Sequence, residues 1–421
     1  MSGVHEVLEP GAAPSPRRPR SVGERATAVR AWVRGAWDVV VLEAKQRLRS
    51  RGWYIMLAIW FALIAIVTWL TWAAWEAQHA VSRRYADYTP AGPLPSAGPG
   101  SMIFEAVLAF VMFFALVVSP ALSANAVNGD RAQGTLAILQ ASLLRPGQIL
   151  AGKLVAAWFA ALAFLVAASP FLIIGVAAGG LSPGYIAVSL LMLAVELGVV
   201  SAIGTALSAL AGRPLFSIVV TYLVVAMLCI GTLIAFGFGV ALSRGTVEAN
   251  SPSYATLSHP AVPGPSFAPS TGPSLAPSPG YSSNLKVTPA PMQGPPSYTC
   301  VGSLIDQPAV HTERVAWILS MNPFLVVADA IPYPDRSESS VPYPQGAIET
   351  MSQGARAAIA GPEATTPCAN GKPKPAYLVQ RTPLWPLGLG LQLLLAGGLL
   401  WGARQALVTP ARRLARGTRV A

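Results

Sequence analysis

Charged residues are scarce in this 421-residue chain: 11% are Asp, Glu, Lys or Arg, and 53% are hydrophobic. Soluble domains carry roughly 25% charged residues, so the composition excludes a protein that is soluble along most of its length. Six apolar runs explain the deficit, and each is about as long as a helix needs to be to cross a hydrocarbon layer roughly 30 Å thick. They cover residues 53–75, 102–124, 154–178, 184–211, 215–242 and 384–403. Because backbone groups in lipid must be bonded within their own segment, the runs predict an all-α integral membrane protein with six transmembrane helices.

Cysteine and histidine are also scarce, with three and four copies. The histidines are scattered and no Cys or His pair has the spacing of metal ligands, so we expect no metal site. Cys229 lies inside the fifth run, where it reads as a small packing residue. Cys300 and Cys368 share the long segment before the last run. Either they are free thiols or they form a disulfide, which would close a loop of about 68 residues and contribute about 4 kcal/mol.

The net charge of +11 reflects basic residues that flank the spans, and no folded basic domain for nucleic acid is visible. Ten basic residues precede Trp53, and others lie in the loop between spans two and three, in the turn after span four, and in the tail 405–421. With six spans, all four regions fall on one side. The positive-inside rule places that side in the cytoplasm. We therefore expect a multi-pass protein of the plasma (cell inner) membrane with both termini cytoplasmic.

The parts predicted outside the membrane differ in character. Residues 1–25 are rich in Pro, Arg and Ala and are predicted to be a disordered cytoplasmic N-terminus. Residues 26–52 carry an apolar stripe at helical spacing between basic residues. This pattern is typical of an amphipathic interfacial helix, although an ordinary juxtamembrane anchor would read the same way. The stripe comprises Val29, Trp32, Val33, Ala36, Trp37 and Val40.

The predicted external segment spans 244–382, between the block 53–243 that holds spans one to five and the last span, 383–404. Its part 251–299 is rich in Pro, Ser and Gly and is interpreted as a flexible linker. The stretch "HTERVAWILSMNPFLVVADAI", 311–331, is apolar with a break at Asn322-Pro323. It predicts two short helices that lie against the outer leaflet or the top of the bundle.

The stretch "GQILAGKLV" raises the question of a nucleotide site, because Gly147, Gly152 and Lys153 fit most of a phosphate-binding loop. A working loop needs Ser or Thr after the lysine, a strand before it and a soluble helix after it. Leu154 follows the lysine here, and a predicted span comes next. We therefore expect no ATPase, catalytic or cofactor-binding site in this chain.

Residues 130–153, "DRAQGTLAILQASLLRPGQILAGK", resemble the signature of ABC transporter permeases of the type-2 exporter family. That signature is close to E-R-E-x-G-T-L-E-x-L-L-x-[ST]-P-x-[ST]-x-x-E-I-L-x-G-K, and the match runs without gaps in the loop between spans two and three. The six spans, the N-terminal helix and "MNPFLVVADA" before the last span agree with the family layout. Leu143 replaces the usual Pro, and Ala137 and Gln148 replace acids.

The resemblance implies a coupling helix in the loop 125–153 that docks on a separate ATP-binding cassette ATPase subunit, which would carry the ATP and Mg. An apolar stripe with a charged rim suits docking into a groove, whereas a loop helix packed on the chain's own base is the alternative. The predicted docking residues are Asp130, Arg131, Gly134, Thr135, Leu136, Leu139, Leu143 and Arg145. A second permease chain, in a homodimer or heterodimer, and the lipid membrane are the other expected partners.

Glu196 lies near the middle of span four, where a carboxylate costs a few kcal/mol unless it is paired or faces a polar cavity. It is either a structural residue of a helix seam or part of a substrate path.

The leading functional prediction is the permease subunit of an exporter that moves a drug, lipid or glycolipid across the plasma membrane. The alternatives are a non-transporting membrane anchor or sensor that binds a partner through the external segment, and a polytopic lipid-linked transferase.

Overall fold

The computed structural model describes residues 22–86, 99–134, 144–179, 183–254, 298–335, 346–379 and 383–408. The helices of these ranges are α1 Val22–Arg49, α2 Arg51–Ala86, α3 Pro99–Ser123, α4 Asn128–Ala132, α5 Pro146–Ala177, α6 Pro183–Leu210, α7 Pro214–Ala226, α8 Thr232–Leu242, α9 Ala316–Ser320, α10 Pro323–Ala330, α11 Ala347–Ala360, α12 Pro362–Thr365 and α13 Trp385–Leu407. A π-helical turn, Met227–Gly231, joins α7 to α8. Two strands, β1 Arg244–Tyr254 and β2 Tyr298–Val310, complete the fold with a short 3₁₀ turn, Thr312–Arg314.

Six helices in the described residues are long and apolar enough to cross a membrane, which confirms the prediction of an all-α integral membrane protein with six spans. Spans one to six are Arg51–Ala80, Pro99–Ala132, Pro146–Ala177, Gly184–Leu210, Pro214–Leu242 and Trp385–Leu407. Span three begins earlier than the predicted residue 154. Pro146 occupies its first turn, where a fixed φ and a missing N–H suit a helix start. Residues 146–153, assigned from the sequence to the loop, are therefore helical.

Span four forms the centre of the bundle. In its most apolar stretch 56% of the residues are buried, compared with 22% in spans one, five and six. Side chains of span two, among them Ile103, Phe104 and Leu108, pack with it and with span three into the main core. The peripheral spans expose large apolar side chains such as Leu215 and Leu394. This distribution leaves their surfaces for lipid or for another membrane chain.

Beyond span five the chain forms an antiparallel two-stranded ribbon, in which Arg244 pairs with Val310 and Tyr254 with Tyr298. The interpretation of 251–299 as linker is wrong for its two ends, because 251–254 and 298–299 are strand residues. Both strands of such a ribbon are edges, so a proline can sit with its nitrogen facing outward. The remainder of the predicted linker, 255–297, lies outside the described residues.

Residues 244–254, 298–335 and 346–379 are referred to below as the cap, because they cover one end of the bundle. A disulfide joins Cys300 of β2 to Cys368, just after α12. Asn322 starts α10: its Oδ1 accepts a hydrogen bond from Phe324 N at 2.9 Å. The same side chain donates through Nδ2 to Cys229 O of the π-helical turn at 2.7 Å. The cap is thus bonded to span five at the point where the helix widens.

Candidate functional site

The opposite end of the bundle, called the base, is formed by α1 and by the chain around residues 128–153. Helix α4 ends at Ala132, and Gly134 then adopts φ +74°. This left-handed conformation favours glycine and ends a helix. The chain resumes at Leu144, and Arg145 precedes the first turn of α5. Residues 135–143 lie outside the described part of the chain, so the docking role of Thr135 and the apolar stripe of Leu136, Leu139 and Leu143 stay predictions.

Lys153 connects the two ends of the signature segment. Its side chain is 1% exposed, and Nζ lies 2.5 Å from both Asp130 Oδ2 and Glu43 Oε1. A buried ammonium is costly unless opposite charges and hydrogen bonds compensate for lost water. Two carboxylates from separate helices supply that compensation. Asp130, Lys153 and Glu43 are called the base triad below; it joins α1, the end of span two and the start of span three.

Glu43 of α1 was not predicted as a site residue. It also lies one helical turn from Arg47, whose Nη2 donates to Leu122 O at 3.3 Å. Burial lowers the pKa of the Arg47 guanidinium, and the Glu43 carboxylate opposes that shift. The i, i+4 spacing of Glu43 and Arg47 is typical of a charge pair on a helix surface. That spacing was the available signal, but it does not indicate that the pair turns inward onto spans two and three.

Helix α1 packs against the start of span three at very short range. A Cβ at Gly152 would approach Val39 Cβ to 2.6 Å and Ala36 O to 2.7 Å, so the absence of a side chain permits this contact. Gln148 strengthens it: Nε2 donates to Trp32 O at 3.0 Å, and Oε1 accepts from Arg145 N at 2.7 Å. The replacement of the usual acid by Gln148 therefore has a structural role.

Arg131 ties the same segment to span four. Its Nη1 donates to Ala211 O at 2.7 Å and to Asn128 Oδ1 at 2.8 Å. The guanidinium thus lies at the C-terminal end of α6, where the helix dipole favours a positive charge. In return, Ser208 Oγ of α6 accepts hydrogen bonds from Val127 N and Asn128 N at 3.0 and 3.1 Å. The predicted docking residues Asp130 and Arg131 are consequently anchored in the bundle.

A comparison with family models matches residues 37–298 to the ABC-2 family transporter protein. This region covers more than half of the chain and includes the base triad and spans one to five. The chain belongs to the ABC-2 transporter family. A search of curated proteins found no match. The family is a membrane transport component whose ATPase activity lies in a separate subunit, so this chain is the permease subunit of an ABC transporter.

Two further predicted residues of the permease lie away from the triad. Arg145 is exposed at the base, on the rim of a cleft between spans three and six. Glu196 is 2% exposed and interacts with Gln392 of span six. Neither oxygen of its carboxyl group has a hydrogen bond of normal geometry within the described residues. The structure therefore places Glu196 between spans four and six, while its part in a substrate path stays a prediction.

No group of three or more His, Cys, Asp or Glu side chains in the described ranges could hold a metal ion.

Proposed function

We propose that this permease is the membrane-spanning half of an exporter, and that its segment 130–145 docks on a separate ATP-binding cassette subunit. ATP and Mg would be held by that subunit, and two permease chains would face each other around the transport path. The exposed apolar side chains of the peripheral spans support a surface for a second chain. The proposed substrate is a drug, a lipid or a glycolipid.

The base triad is the observation that carries this proposal. A segment that is pushed by a motor must pass its movement to the helices that change access. Lys153 joins Asp130 at one end of the segment to span three and to α1, and Arg131 joins it to span four. A push on residues 135–143 would therefore reach three helices through short polar contacts. The helix bundle would be the bistable element that hydrolysis biases.

Docking can be tested by co-expression with a separate ATP-binding cassette ATPase that co-purifies with the wild-type permease. We expect Leu139→Asp to abolish co-purification of the ATPase, because a buried charge would interrupt the apolar stripe. Gln140→Asp adds the same charge beside the stripe and should leave co-purification intact. Equal ATPase recovery with both variants would contradict docking through this stripe.

The base is proposed to face the cytoplasm because it carries the basic residues that flank the spans. In intact cells, an impermeant maleimide should fail to label Arg145→Cys and should label Met351→Cys in the cap. Labelling of Arg145→Cys without permeabilisation would overturn the orientation.

A further inference from the structure

A groove runs from the base into the bundle between span three and span six. Its mouth is a cleft of about 590 Å³ bordered by Trp32, Arg145, Trp401 and Arg404. A second cavity of about 460 Å³ continues deeper, past Trp158, Gly198 and Gly397. Leu154 and Leu400 line both cavities, so the two adjoin.

The mouth of the groove is positively charged and uncompensated. Arg145 and Arg404 line it, and no acidic side chain does. Neither guanidinium forms an ion pair with the described residues. The neighbouring sequence adds no acid either: 131–153 and 405–421 contain no Asp or Glu, and the tail adds four arginines. Within the part of the chain that the structure describes, no acid complements the two arginines, so an anionic ligand suits the mouth.

Below the mouth, the groove has the chemistry and the length of one lipid leaflet. Its walls are apolar, with Leu150, Leu154 and Leu400 nearest the arginines. The part of span six from Leu393 to Arg404 covers about 16 Å at about 1.5 Å per residue. One leaflet of hydrocarbon is about 15 Å thick, half of the bilayer core. A molecule with an anionic head and an apolar chain of leaflet length fits this space.

We propose that the groove holds one anionic phospholipid from the leaflet at the base. Its phosphate lies between Arg145 and Arg404, and an acyl chain lies against Leu154 and Leu400 and reaches the space beside Gly397. The lipid bridges α1, span three and span six. Arg145 also belongs to the predicted docking segment, whereas Arg404 and Gly397 lie outside it. The lipid site does not depend on the substrate that the permease carries.

The head-group contact is tested with the full-length permease in detergent, incubated with mixed micelles of dioleoyl phosphatidylglycerol and dioleoyl phosphatidylcholine. Bound lipid is counted by native mass spectrometry. We expect the phosphatidylglycerol adduct to dominate in the wild type. Arg404→Gln should weaken it about five-fold, since one arginine near an anionic surface contributes on that order.

Arg213→Gln is the matched control, because Arg213 is an exposed arginine in the turn after span four and does not line the groove. It should leave the adduct unchanged. An equal loss with Arg213→Gln would show general charge attraction and would overturn the site. An equal preference for the two lipids in the wild type would overturn it as well.

The acyl-chain contact is tested with adjacent glycines of span six. Gly397 lines the deep cavity and Gly398 does not, and a Cβ at either position meets no atom within 4 Å. Gly397→Leu should displace the lipid, whereas Gly398→Leu should retain it. If Gly397→Leu instead dissociated permease dimers, or released the ATPase, with the lipid count unchanged, the groove would belong to that partner and the proposal would be wrong.

Discussion

The base and the cap are both fastened to the spans by a buried charge, but the two attachments differ. At the base, Lys153 is shared by two carboxylates from separate helices, Asp130 and Glu43. In the cap, Asp329 is shared by Arg356 and by the first turn of span six. Its Oδ1 accepts from Arg356 Nε at 3.0 Å, and its Oδ2 accepts from Leu384 N at 2.6 Å.

The two attachments differ in which of their contacts can be rearranged. The base triad joins three helices through side chains only, and its two carboxylates are partly exposed. The cap attachment uses backbone N–H groups of span six, and its ribbon is also held by the Cys300–Cys368 disulfide. The comparison indicates a base that can exchange contacts during a transport cycle and a cap that keeps the other ends of the spans in register.

The largest expected effect is the loss of Asp329. Its side chain is fully buried, so Asp329→Ala would remove the acceptor of Arg356 Nε and of two backbone N–H groups. We expect the free energy of unfolding to fall by about 3–5 kcal/mol. Thermal unfolding of the purified permease measures this change. Asp306→Ala, at an exposed position of β2, should have little effect on stability. An equal loss of stability in this control would contradict the proposed role of Asp329.

Loss of the disulfide should have the next largest effect on stability. Cys300→Ser opens a loop of 68 residues, and removal of such a link costs about 2–4 kcal/mol. The reducing agent should reproduce the loss in the wild type and add nothing to the variant. If reduction destabilised wild type and variant alike, another bond would be responsible.

Lys153→Met should affect coupling more than stability. It removes the link between Asp130 and α1, so we expect the ATPase still to co-purify while its turnover no longer depends on the permease. The partly exposed carboxylates would regain water, which limits the stability loss to about 2 kcal/mol. Lys45→Met is the control, since Lys45 is an exposed lysine of α1, the helix that carries Glu43. Normal coupling in the Lys153 variant would contradict the proposed path through the triad.

The smallest effect is expected at Ser208, whose Oγ accepts two backbone N–H groups at the start of α4. Ser208→Ala should lower the free energy of unfolding by about 1 kcal/mol, as for other helix caps. Ser208→Thr retains the acceptor and should recover part of that loss. A loss in Ser208→Thr as large as in Ser208→Ala would point to packing instead of the hydrogen bonds.

The spans were predictable because their signal is local: an apolar run of about 20 residues has few other structures available in lipid. The base was predictable in part. Asp130 and Arg131 were found through the signature, but their partners were not. Lys153 was considered as a phosphate ligand and as the last residue of the signature, but its pairing with Glu43 was not predicted because it joins residues 110 positions apart.

The cap was the least predictable region. The ribbon pairs residues across the Pro-rich segment, and strand pairing at such separation leaves little mark on a sequence whose apolar and polar residues do not alternate cleanly. The role of Asp329 could not be predicted from the sequence, because it accepts hydrogen bonds from the backbone N–H groups of Leu384 and Trp385. Helix α11 was likewise not predicted: the sequence indicated no helix between residue 331 and the last span.

The π-helical turn of span five allows the cap to fix the register of that helix. A π-helical turn contains one residue more than an α-helical turn needs, and this surplus could sit at any neighbouring turn of an uninterrupted apolar helix. The amide of Asn322 binds it at Cys229, because Nδ2 donates to that carbonyl oxygen at 2.7 Å and to Thr232 Oγ1 at 3.0 Å. A tilt of α10 would therefore release the surplus residue, and the half of span five beyond it would rotate about its own axis.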